Sequence, residues 1–158
     1  MAQDETFTSA RQFFAHAREA SRDAERIRRQ LIEMESRADG LGSSGIGQRV
    51  RASAEPDRMA SRVATMVDME SRLRERQEAD YDLIDMACAV LYGQDNRSGL
   101  WALVGWPADA ICQHYLNDLE WSVVARLMGY ERRYVLAKVR NALDVCDRAG
   151  AVKGIPLP

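Results

Sequence analysis

The residues best equipped for chemistry lie between 121 and 143, which read Trp-Ser-Val-Val-Ala-Arg-Leu-Met-Gly-Tyr-Glu-Arg-Arg-Tyr-Val-Leu-Ala-Lys-Val-Arg-Asn-Ala-Leu. The pattern predicts a short helix, a glycine break and a second helix, the order of a helix-turn-helix. With Val135 at the origin of a helical wheel, Val139, Ala142, Leu143 and Cys146 fall within about 80°, while Arg133, Ala137, Arg140 and Asp144 face the other way. Tyr134, Lys138 and Asn141 occupy the adjoining flank. Arg132, Arg133, Lys138 and Arg140 stand against Glu131 alone, so residues 131–141 carry +3, whereas residues 107–149 balance six bases with six acids. This is recognition chemistry. Cations neutralise phosphates, small Ala137 lets a helix approach a groove, and Arg and Asn bond bidentately to guanine and adenine edges. Arg133 and Asn141 are the expected base readers, and Arg132, Lys138 and Arg140 the phosphate contacts, with Tyr134 and Ala137 completing the DNA-binding face.

Such a face has to be held rigidly, and the supporting positions have suitable side chains. Ala125 is small where the second helix must cross the first, and Gly129 sits where the turn needs an unhindered backbone. Val135 and Val139 close the core beneath the recognition helix, and Trp121, Val124, Met128 and Leu143 add apolar mass on the same side. A helix predicted over 108–117, with Ile111, Cys112, Tyr115 and Leu116, completes a three-helix unit. A core of that size is marginal alone.

The remainder of the chain reads as long helices. Ala10, Phe13, Ala17, Ala20, Ala24, Ile27, Leu31, Met34, Ala38 and Leu41 alternate spacings of three and four, a heptad seam. Arg22, Arg26, Arg28 and Arg29 alternate with acids and are expected to form a solvated face. Gly40 is expected to end this helix, and the glycine-rich stretch 40–47 to be a flexible linker that holds no ligand. Glu55-Pro56-Asp57 signals a second helix, whose stripe of Met59, Val63, Met66, Leu73, Ile84 and Leu91 is interrupted at Glu70 and Gln77. No strand alternation of useful length occurs, so the expected fold class is all-α. The expected division is a helical hairpin over 1–92 with linker 40–56, a connector over 93–107, the three-helix unit over 108–149 and a tail over 150–158. The seam suits an internal hairpin and, beside it, a homodimer.

Composition narrows the function. The 158 residues carry 22 bases and 24 acids, a formal charge of −2, so any contact with DNA must be local and not a field of the whole chain. No apolar run approaches the length of a membrane span and the first residues are acidic, which predicts a cytoplasmic, nucleoid-associated protein without a membrane partner. Cys88, Cys112 and Cys146 form no C-x-x-C pair and are expected to be buried apolar residues, and Cys112 and His114 point about 200° apart on a helix, so neither metal nor cofactor is expected. No nucleophile elbow, phosphate-binding lysine loop or zinc-protease motif occurs, and the chain is not expected to be an enzyme. Trp101, Trp106 and Trp121 are expected in core or hinge packing.

Val67-Asp68-Met69-Glu70, Tyr115-Leu116-Asn117, Trp121, Val124-Ala125, Met128-Gly129-Tyr130, Arg132-Arg133, Val135 and Ala142-Leu143 together resemble the promoter-reading C-terminal domain of bacterial sigma factors, and more nearly the small phage-encoded regulators of the ArpU and RinA type. The resemblance implies sequence-specific binding of double-stranded DNA, control of late or morphogenetic phage or prophage genes, and host RNA polymerase as a partner. The family commonly opens both helices of the motif with a hydroxyl residue. Here Glu120 and Glu131 stand at those places, poorer N-caps that would repel a backbone phosphate. Two other readings fit the same elements: a phage terminase small subunit recognising packaging DNA, and a helical adaptor that binds polymerase or another protein without touching DNA.

Overall fold

A computed structural model describes residues 7–43 and 56–151. These residues form an all-α protein: helices α1 (Ala10–Ser43), α2 (Pro56–Tyr92), α3 (Gly99–Val104), α4 (Pro107–Ile111), α5 (Trp121–Met128) and α6 (Arg132–Ala149). Among the described residues there is no strand. Nor is any helix among them long and apolar enough to cross a membrane.

The contacts divide the chain into two units, one built from residues 1–22 and 80–158 and the other from 23–79. This cuts across the expected boundaries at 92 and 107. The cause lies in the first turns of α1. Phe13 and Phe14 are buried with Ala10 and Ala17 in one cluster with Leu91, Leu100, Ile111, Val124, Val135, Val139 and Cys146. The Phe14 ring lies 5.8 Å from that of Tyr115. The backbone amide of Ala10 donates to Asp147 Oδ1 at 2.6 Å, which gives an amide of the first turn a carboxylate partner. The beginning of the heptad seam therefore belongs to the same core as the C-terminal helices. A three-helix core of marginal size is thereby enlarged.

Two further expectations are corrected, and a third is refined. Gly40 does not end α1, which continues to Ser43; a glycine inside a helix costs about 1 kcal/mol relative to alanine but does not oblige the helix to stop. Residues 44–55 of the expected linker lie outside the described residues, as do 152–158 of the tail. The segment 93–107 is more than a connector. Gly93 and Gly99 adopt positive φ, Asp95 accepts from the amides of Arg97 and Ser98, and α3 then carries Leu100 into full burial. The helix expected over 108–117 is α4 followed by a widened turn at 112–116, where the amide of Asn117 donates to the carbonyl of Cys112, five residues back.

In the second unit, α1 and α2 meet at one end of the described seam. Arg76 donates to both oxygens of Asp23 at 2.7 Å, the Gln77 amide reaches the carbonyl of Ala24 at 3.5 Å, and Ile27 and Leu73 are buried. Gln77, an interruption in the stripe, thus makes a polar contact where α1 and α2 meet. Arg26, Arg28 and Arg29 pair with Asp23 or Glu25 on their own helix, as a solvated face should. Arg28 and Arg29 hold the Glu25 carboxyl down to about 2.

Candidate nucleic-acid interface

Helix α5 ends at Gly129, whose φ of 77° and ψ of 25° place it in the left-handed region. The amide of Tyr130 donates to the carbonyl of Ala125 and that of Gly129 to Arg126, closing the helix end in the manner of a Schellman turn. Glu131, extended at φ −67° and ψ 145°, then opens α6. Three residues therefore turn the chain between the two helices. A Cβ at position 129 would meet nothing within 4 Å, so the demand for glycine is conformational and not steric. Gly129→Ala is expected to lower stability by about 1–2 kcal/mol, with Gly129→Asn costing less, as read from urea midpoints; equal stability of all three would remove the left-handed turn.

The supporting residues converge. Val124, Ala125, Val135, Val139, Ala142, Leu143 and Cys146 are buried, and Trp121 and Met128 are partly buried against them. Burial pushes the Cys146 thiol up to about 11, consistent with a small apolar role. Cys88 and Cys112 are only half-buried. The expected recognition positions divide as the wheel predicts: Arg132, Arg133, Tyr134, Ala137, Arg140 and Asn141 are exposed, and Lys138 is half-buried.

Two details were not expected. Trp106 stacks on Tyr130 with ring centroids 4.8 Å apart and lies 6.1 Å from Tyr134, while Lys138 Nζ sits 5.4 Å from the Tyr134 ring centroid. Tyr134 and Lys138 are thus held by an aromatic group that braces the turn and the start of α6. Trp121 stacks on His114 at 3.9 Å.

His114 is the second unforeseen element. It is 4% exposed, with Nδ1 2.7 Å from the carbonyl oxygen of Leu119 and Nε2 3.2 Å from Nη1 of Arg18. A carbonyl only accepts and a guanidinium only donates, so the neutral ring carries its proton on Nδ1. Arg18 also donates to Asp118 at 2.7 Å, and Arg22 contacts both oxygens of Asp118 at 2.9 and 3.0 Å. Arg22, expected on the solvated face, instead anchors α1 to the turn before α5. Asp118 takes a positive φ of 55°, and the hydrogen bonds from Arg22 and Arg18 hold its carboxyl below the ordinary range.

Burial pushes the His114 imidazole below its ordinary value. The unfolded chain then binds a proton near pH 6.5 that the folded chain refuses, so stability is full above that pH and falls as pH drops towards the lower folded value. The urea midpoint should decline as pH falls below about 6.5, and His114→Gln should flatten that part of the curve. An unchanged slope in the variant would assign the dependence elsewhere.

The cations differ in their surroundings. On α1, Arg26, Arg28, Arg29 and Arg37 sit beside acids of their own helix, and Arg18 and Arg22 are bound to Asp118. Among the described residues Arg132, Arg133 and Arg140 take part in no ion pair. Glu120 and Glu131 occupy the starts of α5 and α6 and make no side-chain cap bond there, in line with the poor capping expected of them. Arg132 and Arg133 lie in the first turn of α6, where the helix dipole disfavours cations. No family model, curated protein or solved structure was found to match the chain.

Proposed function

We propose that the chain is a sequence-specific DNA-binding regulator of phage or prophage transcription, with α6 as the helix that enters the major groove. The observation that carries this reading is the set of Arg132, Arg133 and Arg140, none in an ion pair among the described residues, on the exposed side of a helix whose other side is sealed by Val135, Val139, Ala142 and Leu143. Cations gathered at a helix start work against the helix dipole, a local cost that a phosphate ligand would offset. Exposed Ala137 leaves room for close approach, and Asn141 lies one turn further along the same face. The resemblance to the sigma-like phage regulators supplies the setting of late-gene control with host RNA polymerase.

Leu127, 58% exposed, and Tyr130, 46% exposed, favour a second reading, an adaptor that docks a protein beside the turn. A binding selection on random duplexes at a stated salt concentration separates the two. Enrichment of a common motif supports groove reading. A pool that stays random, with polymerase captured all the same, supports the adaptor.

A further inference from the structure

The second unit leaves much of its seam uncovered. Helix α1 buries Ala24 and Ile27, and α2 buries Leu73, but none of the residues 28–39 or 57–72 is buried. The heptad stripe nevertheless continues through them. On α2 it runs back from Leu73 through Met66 and Val63 to Met59, which are 37%, 57% and 71% exposed, with Val67 and Met69 beside them at 59% and 51%. On α1 it runs on through half-buried Leu31 and Met34. The same stripe that closes within the chain at Leu73 is therefore open over the next four turns of α2.

We infer that this open stripe is covered by the same stripe of a second copy of the chain. Charge argues for a copy over another macromolecule. Residues 57–72 carry Arg58, Arg62 and Arg72 against Asp57, Asp68 and Glu70, and residues 28–39 carry Arg28, Arg29 and Arg37 against Glu33, Glu35 and Asp39. Both segments are neutral. Such faces neither attract nucleic acid nor select a strongly charged partner, whereas an apolar stripe flanked by balanced charges is complementary to itself. The pairing of the two α2 stripes is antiparallel, because a parallel one would stack Glu70 on Glu70 of the copy in the middle of the seam. The inference does not depend on DNA binding, since the mass is measured on protein alone.

Sedimentation equilibrium of the full chain over about 1–100 µM, a range that brackets a moderate interface, should give a dimer. Val63→Glu with Met66→Glu should weaken it roughly 100-fold or more by burying charge in the seam. Glu70→Leu, which fills the gap in the stripe, should tighten it. Tryptophan fluorescence of each variant reports whether the first unit still folds, since Trp101, Trp106 and Trp121 all lie in it. A monomer throughout that range overturns the inference, as does an assembly larger than a dimer. A dimer that neither the double variant nor Glu70→Leu alters places the interface elsewhere and overturns it equally.

Discussion

Arg133→Ala is expected to lower affinity for a selected duplex about 10- to 100-fold and to relax preference at one base position, the effect of removing a bidentate guanine contact. Arg133 is exposed in the first turn of α6 and among the described residues no acid pairs with its guanidinium, so the substitution should leave the fold intact. Arg132→Ala should behave differently. A phosphate contact carries no sequence information, so all duplexes should weaken together and the slope of log affinity against log salt should fall by about 1. Both measurements use fluorescence anisotropy over a salt series, with urea midpoints checked in parallel. Equal behaviour of the two variants would mean that the arginines provide a charged field and that no base is read by Arg133.

Phe14→Ala is expected to cost about 3–5 kcal/mol, a large part of the stability of a typical domain. The side chain is fully buried, its ring meets Phe13 at 5.2 Å and Tyr115 at 5.8 Å, and its helix is fixed nearby by the bond from Ala10 to Asp147. Urea unfolding followed by the fluorescence of Trp106 and Trp121, which lie in the same unit, reads this directly. Ile32→Ala, at a position 52% exposed, should change stability by no more than about 0.5 kcal/mol. A loss below about 1 kcal/mol for Phe14→Ala would mean that the start of α1 is not part of the C-terminal core.

What the sequence disclosed followed the range of the interactions. Helix content, the turn at Gly129 and the two faces of α6 depend on residues within about twenty positions of each other, and spacing alone exposes them. The seam from Ala10 to Ile27 was also legible as a set of buried residues, and each of its six positions is buried. What covers it was not. Phe14 sits beside the strict three-four repeat, and its partner Tyr115 is about a hundred residues away, so periodicity cannot reveal that the first turns of α1 pack with the C-terminal helices. From spacing alone, His114 and Cys112 point apart on a helix, which assigns His114 no role. Its structural work, bridging Leu119, Arg18 and Trp121, depends on a widened helical turn and a positive φ at Asp118 that carry no clear sequence signal. The glycines misled in the opposite direction: Gly40 looked like a terminator, yet a helix running to Ser43 tolerates it.

The exposed face of α6 gathers positive charge within a chain whose formal charge is −2. The formal charge of −2 is a sum over the whole chain, in which Arg18, Arg22, Arg26, Arg28, Arg29, Arg37, Arg74 and Arg76 pair with acids, while among the described residues Arg132, Arg133 and Arg140 take part in no ion pair. Association should therefore be local, steep in salt and weak for a lone copy, because Glu120 and Glu131 stand where a phosphate would otherwise approach a helix start.

The most direct test follows the backbone amide resonances of the full chain while an enriched duplex is titrated in. Shifts and broadening should concentrate on residues 131–141 and the turn before them, with the sealed positions Val135 and Val139 moving least. Perturbations confined to residues 23–79, or tight binding that leaves 131–141 untouched, would contradict groove reading by α6.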